Sequence, residues 1–197
     1  MSAYLQMKSL AEIAVLIACL SFIPPAAAQS RTSIETQINT YVAEIDRYVQ
    51  RNPRAKRMFG DTAGYDDSKP VWREFKRKVT FDEAVLYESA FVWTRAGKPV
   101  YAGFTLSSPS GDWAHFINYY FRDDGSVAKI DGQFNTFYGD VSVIRKLYFN
   151  GAGVQISSTQ KFLDLKTRKP TKKPGEMFDQ PVPVYRNVTE LPFYKLL

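Results

Sequence analysis

Residues 113–162, WAHFINYYFRDDGSVAKIDGQFNTFYGDVSVIRKLYFNGAGVQISSTQKF, decide the fold of this chain. The stretch contains two largely apolar segments, at 113–121 and 141–149, and each is followed by a turn sequence and a returning segment with apolar residues at alternate positions, such as Val154 and Ile156. The turns hold Asp124-Gly125 and Asn150-Gly151, residues that tolerate the positive φ of tight hairpin turns. The pattern therefore predicts two consecutive β-hairpins.

The same two-residue period begins upstream of these hairpins. Residues 85–93 form one predicted strand, residues 95–98 form a turn, and residues 100–106 form the returning strand. A last edge strand is predicted over residues 181–188, because prolines are tolerated at the edge of a sheet. Together these segments predict six to seven antiparallel strands.

An amphipathic helix is predicted over residues 32–50. Its apolar residues recur at three- and four-residue spacing, and Thr32 with Glu35 provides a capping box at the start. Pro53 marks the end of the segment. The apolar residues that form the stripe are Ile34, Ile38, Tyr41, Val42, Ile45, Tyr48 and Val49. Such a stripe favours packing across a sheet.

The predicted fold class is therefore α+β: an N-terminal amphipathic helix packed on a curved antiparallel β-meander. A small closed β-barrel is the alternative. Residues 29–165 are predicted to form the single domain. Residues 166–197 begin as a basic, proline-rich connector and end in an apolar tail that is expected to dock on the domain.

The first 28 residues are typical of an export signal. Lys8 precedes an apolar run at 13–23, and three alanines at 26–28 provide the small residues of a cleavage site before Gln29. The sequence therefore predicts an exported protein of the periplasm or extracellular space. The alternative is a membrane-anchored lipoprotein that is lipidated at Cys19.

Cysteine and histidine counts limit the chemistry of the mature chain. Cys19 is the only cysteine and His115 the only histidine of the 197 residues. The predicted mature chain therefore has no disulfide, no thiolate metal site and no multi-histidine site, and we predict neither a metal nor another cofactor.

The chain is basic, with a formal net charge of +6. An exported basic protein meets anionic lipids and cell-wall polymers first, so an anionic envelope surface is an expected partner and nucleic acid is not. Two cationic clusters in the irregular stretch 51–80 are candidate anion-binding sites. They contain Arg54, Lys56 and Arg57, and Lys76, Arg77 and Lys78.

The aromatic residues give the strongest indication of a binding function. Both faces of the predicted strand 113–121 are apolar, so either the helix and tail cover the second face or an apolar ligand or partner does. The candidate ligand-binding residues are Trp93, Tyr101, Trp113, Tyr119 and Tyr120. We therefore predict a non-catalytic domain that binds an amphiphilic or lipidic ligand, or an envelope partner.

Two alternative functions are also open. An envelope hydrolase would use His115 with Asp112 and one of the serines at 107, 108 and 110, although no nucleophile-elbow motif is present. Carboxylates near the first strand, Glu88 among them, are weaker catalytic candidates. A structural or assembly protein would instead touch an anionic membrane through the connector at 166–173.

Overall fold

One antiparallel sheet of eight strands dominates the computed structural model, which describes residues 26–197, with side chains from residue 32 onward. The strands are β1 (Lys56–Asp61), β2 (Trp72–Phe75), β3 (Glu88–Arg95), β4 (Lys98–Ser107), β5 (Trp113–Phe121), β6 (Val127–Thr136), β7 (Val141–Phe149) and β8 (Gln155–Asp164). Their order is β2-β1-β3-β4-β5-β6-β7-β8, so the sheet is open and has edges at β2 and β8. The closed-barrel alternative is therefore wrong.

The two hairpins that decide the fold are confirmed. Strands β5 and β7 have the predicted bounds of 113–121 and 141–149, and each pairs with the strand that follows it. Gly125 adopts a positive φ of 84° as expected, whereas in the second turn the positive φ, 71°, lies at Gly153 and not at Asn150 or Gly151. The register of each hairpin matters because a one-residue slip would move every apolar side chain to the wrong face.

Strands β1 and β2 were not predicted, and the count of six to seven strands is wrong. Residues 51–80 were expected to form an irregular basic stretch, because charged residues outnumber apolar ones there. In the structure the cations lie along the strands instead: Lys56 lies over the ring of Phe91, and Arg57 pairs with Glu74 of the neighbouring strand. Their long side chains cover apolar surface while the charges reach solvent or a carboxylate.

The predicted edge strand at 181–188 is also wrong. Its residues run as an extended segment that meets the sheet at a single bridge, between Ser126 and Asn187. Pro181 and Pro183 have no N–H to donate, which prevents a continuous ladder.

The N-terminal helix, α1, spans Ala26–Arg51 and so begins before the predicted start at residue 32. Its packing on the sheet is seen in part. Ile38, Val42 and Ile45 are buried, and Tyr41 and Tyr48 donate hydrogen bonds to the carbonyls of Phe121 and Thr94 at 2.5 and 2.6 Å. A short second helix, α2, spans Lys78–Asp82.

The tail after the sheet covers its other face. Val182, Val188, Leu191 and Phe193 are buried in one cluster with sheet residues such as Tyr119. Close approach is possible because β6 has glycine at position 132, where an added Cβ would lie 2.7 Å from Val182. Residues 35–197 form one compact unit. Residues 1–25 of the predicted signal, Cys19 included, lie outside the described residues.

Candidate functional site

Glu88 is a carboxylate in an otherwise apolar row. Side chains alternate along β3, so Glu88 shares the tail-covered face with Ala90 and Val92, which are 1% and 0% exposed. Across the sheet it pairs with Leu106 of β4, which in turn pairs with His115 of β5. Glu88 is the first residue of β3 and therefore lies at the edge of the buried face of the sheet.

A cleft of about 260 Å³ opens at this end of the sheet. The loop 62–71 between β1 and β2 forms one side, and the ends of β3, β4 and β5 form the other. The cleft is lined by Asp61, Ala63, Gly64, Tyr65, Asp67, Pro70, Tyr87, Glu88, Leu106, Ser107 and Trp113. Its volume suits a small ligand or the headgroup end of a longer one.

Two aspartates hold the loop in shape. Asp61 Oδ1 accepts hydrogen bonds from the backbone N–H groups of Ala63 and Val71, at 3.0 and 2.6 Å. Asp67 Oδ2 accepts one from Gly64 N–H at 2.6 Å. Because these carboxylates bind backbone amides, the loop and its negative charges are fixed beside Glu88.

Aromatic rings form the walls of the cleft. The rings of Tyr65 and Tyr87 meet edge to face, with centroids 5.3 Å apart, and Tyr65 is exposed at the rim. Trp113 is 9% exposed and closes the inner end beside Leu106. The cleft therefore combines electron-rich ring faces with carboxylates.

The Glu88 carboxylate is the group in the cleft whose ionisation is most disturbed. It makes no hydrogen bond and no ion pair with any residue from 32 to 197. Burial raises its pKa to about 7, and the negative charge of Asp61 adds to the rise. The negative charge of Glu88 in turn helps to raise the pKa of Tyr185, after burial. A carboxyl that titrates near neutrality in a cleft is a common mark of a functional site.

Such a cleft can bind a cation or donate and accept a proton at Glu88. In the part of the chain that the structure describes, no group of three or more histidine, cysteine, aspartate or glutamate side chains is arranged to hold a metal ion. The site therefore rests on one titratable carboxyl, two fixed carboxylates and the rings around them.

The five predicted ligand-binding aromatics occupy three places. Trp93, Tyr101 and Tyr120 meet edge to face beneath α1, with centroids 5.5 and 5.4 Å apart along the row. Tyr119 points to the opposite face, where its hydroxyl donates to the carbonyl of Pro183. Trp113 alone lines the cleft. A ligand-binding role for all five stays a prediction.

The row beneath α1 already has partners within the chain. Trp93 Nε1 donates to the carbonyl of Asn52 at 3.0 Å, and the Tyr120 hydroxyl donates to Asp46 of α1 at 3.0 Å. The tail thus covers one face of β5 and the helix covers part of the other, where Phe116 stays 40% exposed.

The hydrolase candidates His115 and Asp112 share no hydrogen bond in the described chain. Asp112 accepts a hydrogen bond from Ser110 Oγ at 2.6 Å, whereas His115 is buried and its Nε2 has no partner among the described residues. Burial lowers the pKa of His115 to about 4, helped by the charge of Arg145. The imidazole is therefore neutral at physiological pH. The contact between base and orienting acid that a serine triad requires is not formed by this pair.

The burial of His115 gives a testable pH dependence. The unfolded chain takes up a proton at pH about 6.5 and the folded chain only at about 4, so stability is present above 6.5 and is lost as pH falls toward 4. We expect His115→Leu to remove up to about 3 kcal/mol of this acid-induced loss, since one pKa unit corresponds to about 1.4 kcal/mol.

Urea unfolding of the wild type and of His115→Leu at pH 7 and pH 4 measures this effect. The quantity to compare is the difference between their free energies of unfolding at the two pH values. NMR of the imidazole C–H resonances gives a second measure, because His115 is the only histidine. A midpoint at the ordinary value of 6.5 would show that the ring is not buried in solution.

The predicted anion-binding cations divide into two groups. Arg57 and Lys76 both contact Glu74, and Lys78 pairs with Asp82. The side chains of Arg54 and Arg77 are exposed and form no ion pair with residues 32–197, and Lys56 lies over the ring of Phe91. Anion binding by these clusters stays a prediction.

From the sequence, Glu88 was only a weak catalytic candidate. Tyr65 and Tyr87 were not predicted to lie near it. The signal was present: a carboxylate at the start of a strand, on the face that continues as Ala90 and Val92. An acid in an apolar row must be paired, neutral or functional.

No family model matches the chain, and neither the curated proteins nor the solved structures contain a significant match to it. Among the described residues, no helix has the length and apolar character needed to cross a membrane.

Proposed function

We propose that this chain is an exported, non-catalytic binding domain whose cleft takes a small cationic amphiphile, an ammonium group attached to an apolar body. The observation that carries the proposal is the Glu88 carboxyl, which is partly buried and has no partner among the described residues. A buried carboxylate is costly unless a counter-charge accompanies it, and a bound ammonium group would supply that charge.

The surroundings of Glu88 support the choice of a cation. Asp61 and Asp67 add negative charge at the cleft, and the Tyr65 and Tyr87 rings offer faces on which an ammonium group binds favourably. Trp113 and Leu106 provide apolar surface for the rest of the ligand. An anionic amphiphile would meet like charges at the same place.

Export of the protein supports an amphiphile rather than a cytosolic metabolite, because the expected compartments adjoin lipid surfaces. An envelope partner that presents a lysine side chain is the alternative source of the same chemistry. A free amphiphile and such a partner both place an ammonium group next to Glu88.

Isothermal titration calorimetry tests the proposal with two probes of equal chain length, an alkyltrimethylammonium and an alkylsulfonate, below their critical micelle concentrations. We expect the ammonium probe to bind and the sulfonate not to. Glu88→Gln should weaken ammonium binding roughly 10- to 100-fold, because it removes a charge-assisted contact. Glu83→Gln is the matched control, since Glu83 is exposed and does not line the cleft.

The same titrations carry a pH signature. Affinity for the ammonium probe should rise as pH increases toward about 7, where Glu88 ionises, and should then level off. In Glu88→Gln this rise should vanish. Equal binding of both probes, or equal weakening in the Glu83 control, would refute the assignment of the cleft.

A further inference from the structure

Two aromatic rings lie exposed at the turn between β6 and β7. Phe137 and Tyr138 are 63% and 59% exposed, although most aromatic residues of the described chain are buried or partly covered. They occupy the tip of a hairpin, where no strand of the sheet can cover them. This position presents both rings outward.

A third ring joins them. Phe178 is 41% exposed and lies 6.4 Å from Tyr138, centroid to centroid. Its inner side contacts Trp113 and Phe134, at 6.1 and 5.8 Å. Phe137, Tyr138 and Phe178, here named the aromatic tip, are therefore supported by the core of the sheet.

Five cations lie on the connector that follows β8. They are Lys166, Arg168, Lys169, Lys172 and Lys173, and all five are exposed. None of them forms an ion pair with a residue between 32 and 197. Lys166 interacts electrostatically with Asp164, and the other four cations are free to contact an external anion.

The connector is held beside the aromatic tip. Leu165 N–H donates to the carbonyl of Asp140 in the β6–β7 turn at 2.8 Å. Pro174 packs on Gly139, where an added Cβ would lie only 3.0 Å from the proline ring, and Gly139 has a φ of 88°. Rings and cations thus form one continuous surface.

Acidic residues in the same region leave the surface positive. Asp140, Asp164 and Glu176 lie in or beside the two segments, and the carbonyl of Asp112 accepts a hydrogen bond from Phe137 N–H, so the local count is 5 − 4 = +1. Asp164 is also occupied, because it accepts hydrogen bonds from the N–H and hydroxyl of Thr167.

We propose that this end of the sheet binds an anionic lipid bilayer, with Phe137 and Tyr138 at headgroup depth and the connector cations on lipid phosphates. Exposed aromatic rings flanked by basic residues are the combination that holds proteins at membrane surfaces. A single-stranded nucleic acid would need rings spaced along a groove, whereas these rings gather at one turn. The proposal does not depend on what the Glu88 cleft binds.

Sedimentation with vesicles tests the proposal on the full chain. We expect the protein to bind vesicles of equimolar phosphatidylcholine and phosphatidylglycerol, to bind pure phosphatidylcholine far less, and to lose binding as salt increases. The double variant Phe137→Ser/Tyr138→Ser should lower the partition coefficient about tenfold. Lys172→Gln/Lys173→Gln should lower it roughly 30-fold, at about fivefold per cation.

The matched control is Arg47→Gln/Arg186→Gln, which makes the same change in net charge at the opposite ends of the strands, outside the candidate anion-binding clusters. Both arginines are exposed and form no ion pair in the described chain. Equal loss in this control would overturn the proposal, because the general positive charge would then explain binding. Salt-independent binding, full retention by the aromatic variant, or displacement of the vesicles by polyuridylate RNA would also overturn it.

Discussion

Replacing Phe193 with alanine should lower the free energy of unfolding by about 3–5 kcal/mol, the usual cost of deleting a buried aromatic ring. Phe193 is 1% exposed and stacks on Phe59 with centroids 4.5 Å apart. It also contacts Trp72 and Phe104, at 4.9 and 5.5 Å. The ring joins the tail to strands β1, β2 and β4, so its loss leaves a cavity that three strands cannot collapse to fill.

Urea denaturation followed by tryptophan fluorescence measures this effect. Tyr194→Ala is the matched control, because Tyr194 is the next residue of the tail and is 42% exposed. Its effect should stay within about 1 kcal/mol. If both variants lose the same small amount, the tail does not dock on the sheet in solution.

Glu88→Gln should stabilise the protein at pH 8 by up to about 3 kcal/mol. Glu88 has a pKa of about 7 in the folded chain against an ordinary value of 4.5, and each unit corresponds to about 1.4 kcal/mol. The folded state holds the extra proton between these values. Stability therefore falls as pH rises from 4.5 to 7 and stays low above 7.

The variant should match the wild type at pH 4, where Glu88 is protonated in both folded and unfolded chains. Chemical denaturation at pH 4, 6 and 8 gives the whole curve. Glu83→Gln should show no such pH-dependent gain, since Glu83 is exposed. A Glu88→Gln protein that is less stable than the wild type at pH 8 would contradict the burial of an unpartnered carboxylate.

His115 and Glu88 affect stability in opposite directions over almost the same pH range. Protonation of the unfolded chain at His115 reduces stability as pH falls from 6.5 to 4, whereas Glu88 increases it as pH falls from 7 to 4.5. The two contributions nearly cancel in the wild type. His115→Leu and Glu88→Gln should therefore each show a free energy of unfolding that changes with pH between 4 and 7, whereas that of the wild type should change little.

The sequence carried enough information to predict β3 to β8, but not β1 and β2. The later strands alternate in polarity and are joined by turns such as Asp124-Gly125, so their pattern is local. Strand β1 holds Lys56 and Arg57, whose partners Phe91 and Glu74 come from other strands. Lys56 and Arg57 fit into β1 only because residues distant in sequence contact them, and a local pattern does not contain this information.

The cleft could not be predicted from the sequence for a related reason. Glu88 lies next to Asp61 because β1 pairs with β3, and Trp113 joins them because β5 follows β4 in the sheet. Once β1 is taken for a loop, no argument from spacing can bring these residues together. Trp113 was a candidate because both faces of its predicted strand are apolar, while the position of Glu88 and Asp61 beside it required the topology.

The position of the tail has a consequence for the order in which this chain folds. All eight strands precede residue 165, but the residues that cover one face, Val182 to Phe193, are made after them. A sheet that formed before residues 182–193 were available would have one apolar face bare. Such a species would be exposed to aggregation, chaperones and proteases until Phe193 docked.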